Sequence, residues 1–362
     1  MMTGRFQPGT FAMARASRQM TLAQLADRSG LSTPTLSRIE QGLRDVDPYE
    51  VEVLAKAVGY PTATMYEPLP ANSLGLPGFY HRKLSAAGEK QVRGIEGRCL
   101  MASIGLRNLL KLVELDAPHS IPALDRDDND GDPEKAAEYV RLRWQMPRGP
   151  IPNLIEVIER AGGLVIHCDF GVEAMDALYQ PAPQLPSLFW MNSNKPFDRA
   201  RFSLAHELGH VVMHHVYTEA PQAEVEADRF ASAFLMPRAD FRSECQTRLD
   251  LPALAQLKQR WRVSMAAIVR RAKDLRAITP DQYRSLMIQM SGMRRVEPYP
   301  ISSETPRLLA TLLEKFAQVY GNSTAEATAE ALRIPVELVA EWRQLWPGFG
   351  DDNGPPRLRL AL

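Results

Sequence analysis

The sequence predicts a multidomain, mainly α protein with one small sheet. Three observations carry this expectation. Two short capped helices joined across a glycine open the chain. A compact central stretch holds three short β-like runs broken by Pro and Gly. Two amphipathic helices follow it, and helical patterning continues to the end. In order, the expected parts are an all-α domain at 1–70, a helical connector with an acidic loop at 71–148 and an α+β domain at 149–240. A basic helical segment at 241–300 and a helical tail at 301–362 complete the chain.

With 362 residues, the chain has room for two or three domains. Hydrophobic content of 45% and charged content of 24% are ordinary for a globular protein. A formal net charge of +0 excludes a global surface for polyanions, so any nucleic-acid contact must be local. Cys99, Cys168 and Cys245 are odd in number and far apart. They form neither a disulfide framework nor a Cys-x-x-Cys site, which fits a reducing compartment. Met1 to Thr21 has no apolar leader core, and no run approaches the ~18 apolar residues of a membrane span. The expected location is cytoplasmic, with no membrane partner.

The first element begins at Thr21-Leu-Ala-Gln24, where the Thr21 hydroxyl caps a helix and Gln24 reaches back. Leu22, Leu25 and Ala26 face inward, and Ser29-Gly30 ends the helix. Ser32 caps a second helix with Leu36 and Ile39 on its core face, and Gly42 stops it. Val53 to Gly59 supplies a closing helix. Two short helices joined by a glycine-containing turn are the helix-turn-helix layout. The early residues of the second helix, Thr33, Pro34, Thr35, Ser37 and Arg38, would face base edges of double-stranded DNA. Gln24 would meet backbone phosphate. Near-neutral local charge argues instead for a bundle that contacts protein. Capping, turn and apolar spacing together favour DNA.

Residues 76–148 show helical patterning, with Arg82, Lys83, Lys90, Arg93 and Arg98 early and an acidic, turn-rich break at 125–133. Pro147, Pro150 and Pro152 mark a boundary. An amphipathic helix at 153–161 precedes β-like runs at 163–168, 175–179 and 187–191. Next comes Arg201-Phe-Ser-Leu-Ala-His-Glu-Leu-Gly-His-Val-Val-Met-His214, inside a helix expected from about 198 to 216. Residues four apart share a helix face, so His206 and His210 can aim two imidazoles at one metal ion. Glu207, one step round, is placed to act as a base on water. This is the ligand-plus-base arrangement of a zinc hydrolase.

Two histidines do not complete such a site, because three protein ligands are needed. A His six residues beyond His210 is absent, since that position is Val216. The His214 and His206 Cα atoms lie about 12 Å apart along a helix, so His214 is assigned to support or packing. Glu224 and Asp228 share one face of the next helix, expected from about 222 to 235. One carboxylate can bind zinc while the other orients a ligand histidine. Glu224 is the preferred ligand, with Glu226 as the alternative. Ala227, Ala231 and Phe234 would pack on the motif helix, with Phe230 at the edge. An oxyanion donor is not named by the sequence; Tyr179 and Tyr217 are candidates. His167 reads as a core or edge histidine, and His215 as solvent-facing.

Residues 241–296 hold twelve Lys/Arg against four Asp/Glu. Within them, Leu254, Leu257 and Trp261 lead through a turn to Ser264 and a second helix. DNA binding and simple packing remain open for this pair. Two further helices are expected in the tail, and those at 324–346 read as structural.

Two resemblances follow from these residues. Residues 12–60 resemble a Cro/C1-type (XRE) DNA-binding domain, through Thr21-Leu-Ala-Gln-Leu-Ala, Gly30-Leu-Ser and Leu36-Ser-Arg-Ile-Glu-Gln-Gly42. One departure is Pro34, where helix formers are commoner. Residues from about 150 to 240 resemble the ImmA/IrrE metallopeptidase family, through the His206 motif and Glu224-x-Glu-Ala-Asp-Arg-Phe-Ala-Ser-Ala-Phe-Leu-Met-Pro237. The helices beyond, with Leu257-Lys-x-x-Trp-x-Val-Ser-Met, resemble the segment that commonly trails this peptidase. The resemblance implies a zincin-like α+β fold, with Zn2+ held by His206, His210 and Glu224, and Glu207 as base. It implies an endopeptidase that cleaves a repressor-like protein, or itself, to switch gene expression. The alternative is a repressor or antitoxin whose peptidase-like domain senses a ligand or binds a partner such as a toxin. A palindromic operator would imply a homodimer.

Overall fold

The computed structural model describes residues 4–69, 88–125, 128, 130–171, 175–182, 184–214, 220–245, 249–293, 297–321 and 324–344. It divides into two compact units. One takes the described residues within 1–71, 89–115 and 305–362, and the other those within 72–88 and 116–304. No described helix is long and apolar enough to cross a membrane. The structure is mainly α with one three-stranded sheet.

The first unit starts with α1 (Pro8–Ser17), α2 (Leu22–Ser29), α3 (Thr33–Glu40) and α4 (Pro48–Val58), then a 3-10 turn at Thr62–Tyr66. Local chemistry explains these boundaries. Thr21 and Gln24 form a reciprocal capping box on α2, and Asp47 and Glu50 form one on α4. Gly30 and Gly59 take left-handed backbone at φ 74° and 72°, which glycine adopts without a Cβ penalty. Leu25, Leu36, Ile39 and Leu54 are fully buried. Arg15 pairs with Glu40 through Nε–Oε1 at 2.5 Å and Nη2–Oε2 at 2.9 Å, tying α1 to α3.

The expected connector at 71–148 does not stay in one piece. Its helix α5 (Glu89–Leu112) packs on α1 in the first unit. Gly97 lets the backbones meet: a Cβ there would lie 2.7 Å from Ser17 N and 2.8 Å from Met13 O. Leu100, Met101 and Ile104 of α5 enter the same core as Leu25 and Leu36. The C-terminal segment joins this unit as well. Asn108 Nδ2 donates to Leu332 O at 3.1 Å, and Thr64 Oγ1 to Arg333 O at 2.7 Å.

In the second unit, α6 (Pro133–Arg143) and α7 (Leu154–Arg160) precede β1 (Leu164–Cys168), β2 (Ala177–Gln180) and β3 (Leu188–Asn192). The sheet order is β1-β3-β2, with β3 parallel to β1 and antiparallel to β2. Central β3 is buried along its whole length, which explains its unbroken apolar Leu-Phe-Trp-Met run. Then come α8 (Phe197–Met213), α9 (Ala220–Leu235), α10 (Arg238–Glu244), α11 (Leu251–Trp261), α12 (Met265–Asp274) and α13 (Pro280–Gln289). Helix α8 packs on β2, β3 and α9.

The α11–α12 pair packs into this unit's core. Leu254, Trp261, Val263, Ile268 and Val269 are buried in it. Its buried cations face inward: Lys258 pairs with Asp198 and with Glu297 (3.0 Å), and Arg271 pairs with Glu134 at 2.6 Å. These interior pairs commit Lys258 and Arg271 to packing, while Arg242, Arg260, Arg270, Lys273 and Arg276 stay exposed.

The tail contains three helices among the described residues rather than the expected two. They are α14 (Leu308–Tyr320), α15 (Ala325–Leu332) and α16 (Val336–Gln344), all in the first unit.

Candidate metal centre and DNA-reading helix

Helix α8 is buried nearly all round: Leu204, Ala205, Leu208 and Val212 pack one side, and His206, Glu207 and His210 are buried on the rest. Helix α9 crosses close by. Its approach depends on Gly209: a Cβ there would sit 3.0 Å from Phe230 Cδ1 and 3.2 Å from its Cβ. Phe230 is fully buried at this crossing, not at an edge, and stacks on Phe234 with ring centroids 5.6 Å apart. The sequence reading did not value Gly209; the missing signal is helix–helix distance, which no single periodicity encodes.

The crossing gathers His206, His210 and Glu224, each offering a ligand atom within 4.8 Å of the others. The two histidine Nε2 atoms are 3.0 Å apart. Glu224 Oε2 lies 3.6 Å from His206 Nε2, and its Oε1 3.4 Å from His210 Nε2. Two ring nitrogens and a carboxylate converging in a buried pocket form an electron-rich set suited to a divalent cation. Burial holds His210 below the ordinary imidazole range, outweighing the hydrogen bond and charge of Glu224. That keeps the ring neutral near pH 7, the state a metal ligand needs.

The surrounding polar groups are ordered. His206 Nδ1 meets Asp228 Oδ1 at 2.8 Å. His214, which ends α8, meets His210 through their Nδ1 atoms at 2.9 Å. Glu226, the alternative ligand in the sequence reading, turns instead to His214 Nε2 at 3.0 Å. Glu207 Oε2 accepts from the backbone N–H of Tyr179 at 3.0 Å, so strand β2 fixes that carboxylate. The Tyr179 phenol pairs with Ser187, and burial raises its pKa. It is therefore the Tyr179 backbone that reaches this site. Tyr217 and His215 lie outside the described residues. His167 is half-buried in β1, and burial lowers its pKa.

In the first unit, α3 presents Thr33, Pro34 and Arg38 to solvent, with Thr35 and Ser37 half-buried. Thr35 meets the capping Ser32 at 2.9 Å, and Ser37 accepts from Gln41 at 3.2 Å. Pro34 lies in the first turn, where its missing N–H has no intrahelical partner to lose, so it leaves α3 intact. Gln24 is exposed, and its Oε1 accepts from Thr21 N–H at 2.9 Å.

Residues 9–66 match the family described as a helix-turn-helix domain. Residues 158–273 match the peptidase family described as the IrrE N-terminal-like domain. That second match runs through α11 and nearly all of α12, beyond the expected limit at 240. Comparison with curated proteins finds no match.

Proposed function

Because the chain carries a helix-turn-helix domain followed by an IrrE N-terminal-like peptidase domain, we propose that it is a DNA-bound regulator with zinc endopeptidase activity. Its substrate is a repressor-like regulatory protein, or the chain itself, and cutting it switches gene expression. The convergence of His206, His210 and Glu224 beside Glu207 carries this reading.

In this proposal His206 Nε2, His210 Nε2 and a Glu224 oxygen hold the ion. Zinc supplies positive charge that polarises a carbonyl and brings the pKa of water towards neutrality. Glu207 takes the proton of the attacking water at its carboxylate and returns it to the leaving amine. The Tyr179 N–H holds one oxygen of that carboxylate, which limits its rotation. Asp228 accepts from His206 Nδ1–H and aims the opposite ring nitrogen at the cluster. On DNA, Arg38, Thr33 and Pro34 face the base edges, with Thr35 and Ser37 behind them and Gln24 near the phosphates. Two copies would read a palindromic operator.

The test is metal analysis of the purified protein, followed by incubation with regulators encoded beside it, with and without chelator. Glu207→Gln should retain one zinc per chain and lose cleavage. A protein without zinc, or a Glu207→Gln variant that still cuts, rejects the mechanism. Zinc bound with no cleavage of any partner, or of the chain itself, favours the sensor reading.

A further inference from the structure

Beyond the three candidate ligands, a second line of polar groups runs outward from His210. His210 Nδ1 faces His214 Nδ1 at 2.9 Å, and His214 Nε2 faces Glu226 Oε2 at 3.0 Å. Gln222 Nε2 donates to the other Glu226 oxygen at 2.8 Å. The His214 side chain is only 1% exposed and that of Glu226 15%.

Proton accounting along this line has a direction. An ionised carboxylate only accepts, so Glu226 takes the hydrogen of His214 Nε2. A neutral His214 then has a lone pair, not a hydrogen, on Nδ1. The 2.9 Å contact therefore needs the hydrogen of His210 Nδ1. That leaves the lone pair of His210 on Nε2, the atom that faces His206 and Glu224. Asp228 does the same for His206 in one step.

We propose that Glu226 and His214 are positioning residues that fix the His210 tautomer and ring angle, so that its Nε2 is the metal-binding atom. This rests on the zinc reading above. It assigns to Glu226 a role as terminal acceptor, distinct from the ligand role of Glu224. On His206 a carboxylate meets the ring directly, whereas on His210 the line to Glu226 runs through His214. Supporting partners of this kind set metal affinity by about 10–100-fold.

The test uses the full-length chain and two probes, Zn2+ and Co2+. His214→Phe keeps the ring volume and removes the acceptor. Glu226→Leu removes the terminal carboxylate at a part-exposed position, and Glu226→Gln keeps an acceptor oxygen. Competition against a chromophoric chelator should show zinc affinity falling about 10–100-fold in the first two variants and largely recovering in Glu226→Gln. Thermal unfolding of the metal-free proteins should be nearly unchanged. In the Co2+ form, the shifted, solvent-exchangeable ring-proton signal of His210 Nδ1–H should be seen in wild type and lost in His214→Phe. A packing role alone would leave that signal in place. Wild-type affinity in both His214→Phe and Glu226→Leu, with the ring-proton signal unaltered, overturns the proposal. A wild-type chain that binds neither ion overturns the zinc reading itself, and this one with it.

Discussion

Replacing Glu304 by Ala removes one carboxylate that does three things at once. Its Oε1 pairs with Arg201, a guanidinium in the motif helix α8 with no exposed surface. Its Oε2 accepts from Leu154 N at 2.7 Å and Ile155 N at 3.0 Å, capping α7. It also lies 3.6 Å from Arg262. Burial pulls the Arg201 pKa down to about 10, partly offset by Glu304, so the group stays charged near neutrality. Breaking a buried pair by removing one partner costs about 3–5 kcal/mol. Losing the α7 cap adds about 1 kcal/mol. The Ile151 carbonyl still accepts from Arg201 and softens the loss. We expect Glu304→Ala to cost about 4 kcal/mol. In a unit of this size that is a fall in Tm of roughly 8–16 °C. Calorimetry or circular dichroism on the full-length protein measures it. The double variant Arg201→Met/Glu304→Leu should lose much less than the sum of the single changes, since no charge is left buried. A loss below about 1 kcal/mol in Glu304→Ala would refute the claim that this pair anchors the motif helix.

Three further expectations concern other parts of the molecule. Gly97→Ala should cost about 2 kcal/mol in the first unit, because the new methyl meets the α1 backbone. Gly94→Ala, which meets mainly the flexible Gln19 side chain, should cost less in the same unfolding assay. In native protein, a thiol reagent at pH 8 should label half-exposed Cys168 first. It should spare buried Cys99 and also Cys245, whose pKa burial pushes up to about 11. Early labelling of Cys245 would count against this packing. Burial raises the Glu134 pKa, but hydrogen bonds from Arg271 and Arg238 outweigh it and hold the carboxyl below its ordinary range. Its contribution is therefore complete above about pH 4.3, the unfolded value, and is lost as pH falls through the lower folded value. Acid titration of stability should be shallower in Glu134→Gln than in wild type.

Much of the architecture was legible because local rules carry it. The capping box at Thr21, the cap at Ser32 and the glycines at 30 and 59 mark helix ends within a few residues, whereas the Asp47 box starts α4 at Pro48, ahead of the expected Val53. Runs at 163–168, 175–179 and 187–191 differ from the observed strands by one or two residues at most of their ends. The convergence of His206, His210 and Glu224 followed from four-residue spacing and from the acidic face of the next helix. What stayed hidden are long-range pairings with no period to read. Glu304 closes on Arg201 across 103 residues. The Tyr179 backbone, not its side chain, meets Glu207. The connector looked like one segment because both of its helices are amphipathic, and that pattern does not say which core each one joins.

The union of α5 with α15 has a consequence for any self-cleavage. The unit that holds the helix-turn-helix domain is assembled from pieces that lie before and after residues 116–304, knitted by contacts such as Asn108 to Leu332 and Thr64 to Arg333. A nick inside that intervening stretch severs the covalent thread yet leaves those pieces clasped. Under the proposed function, a self-cut that loosens this unit would have to fall within its own pieces rather than in the stretch between them.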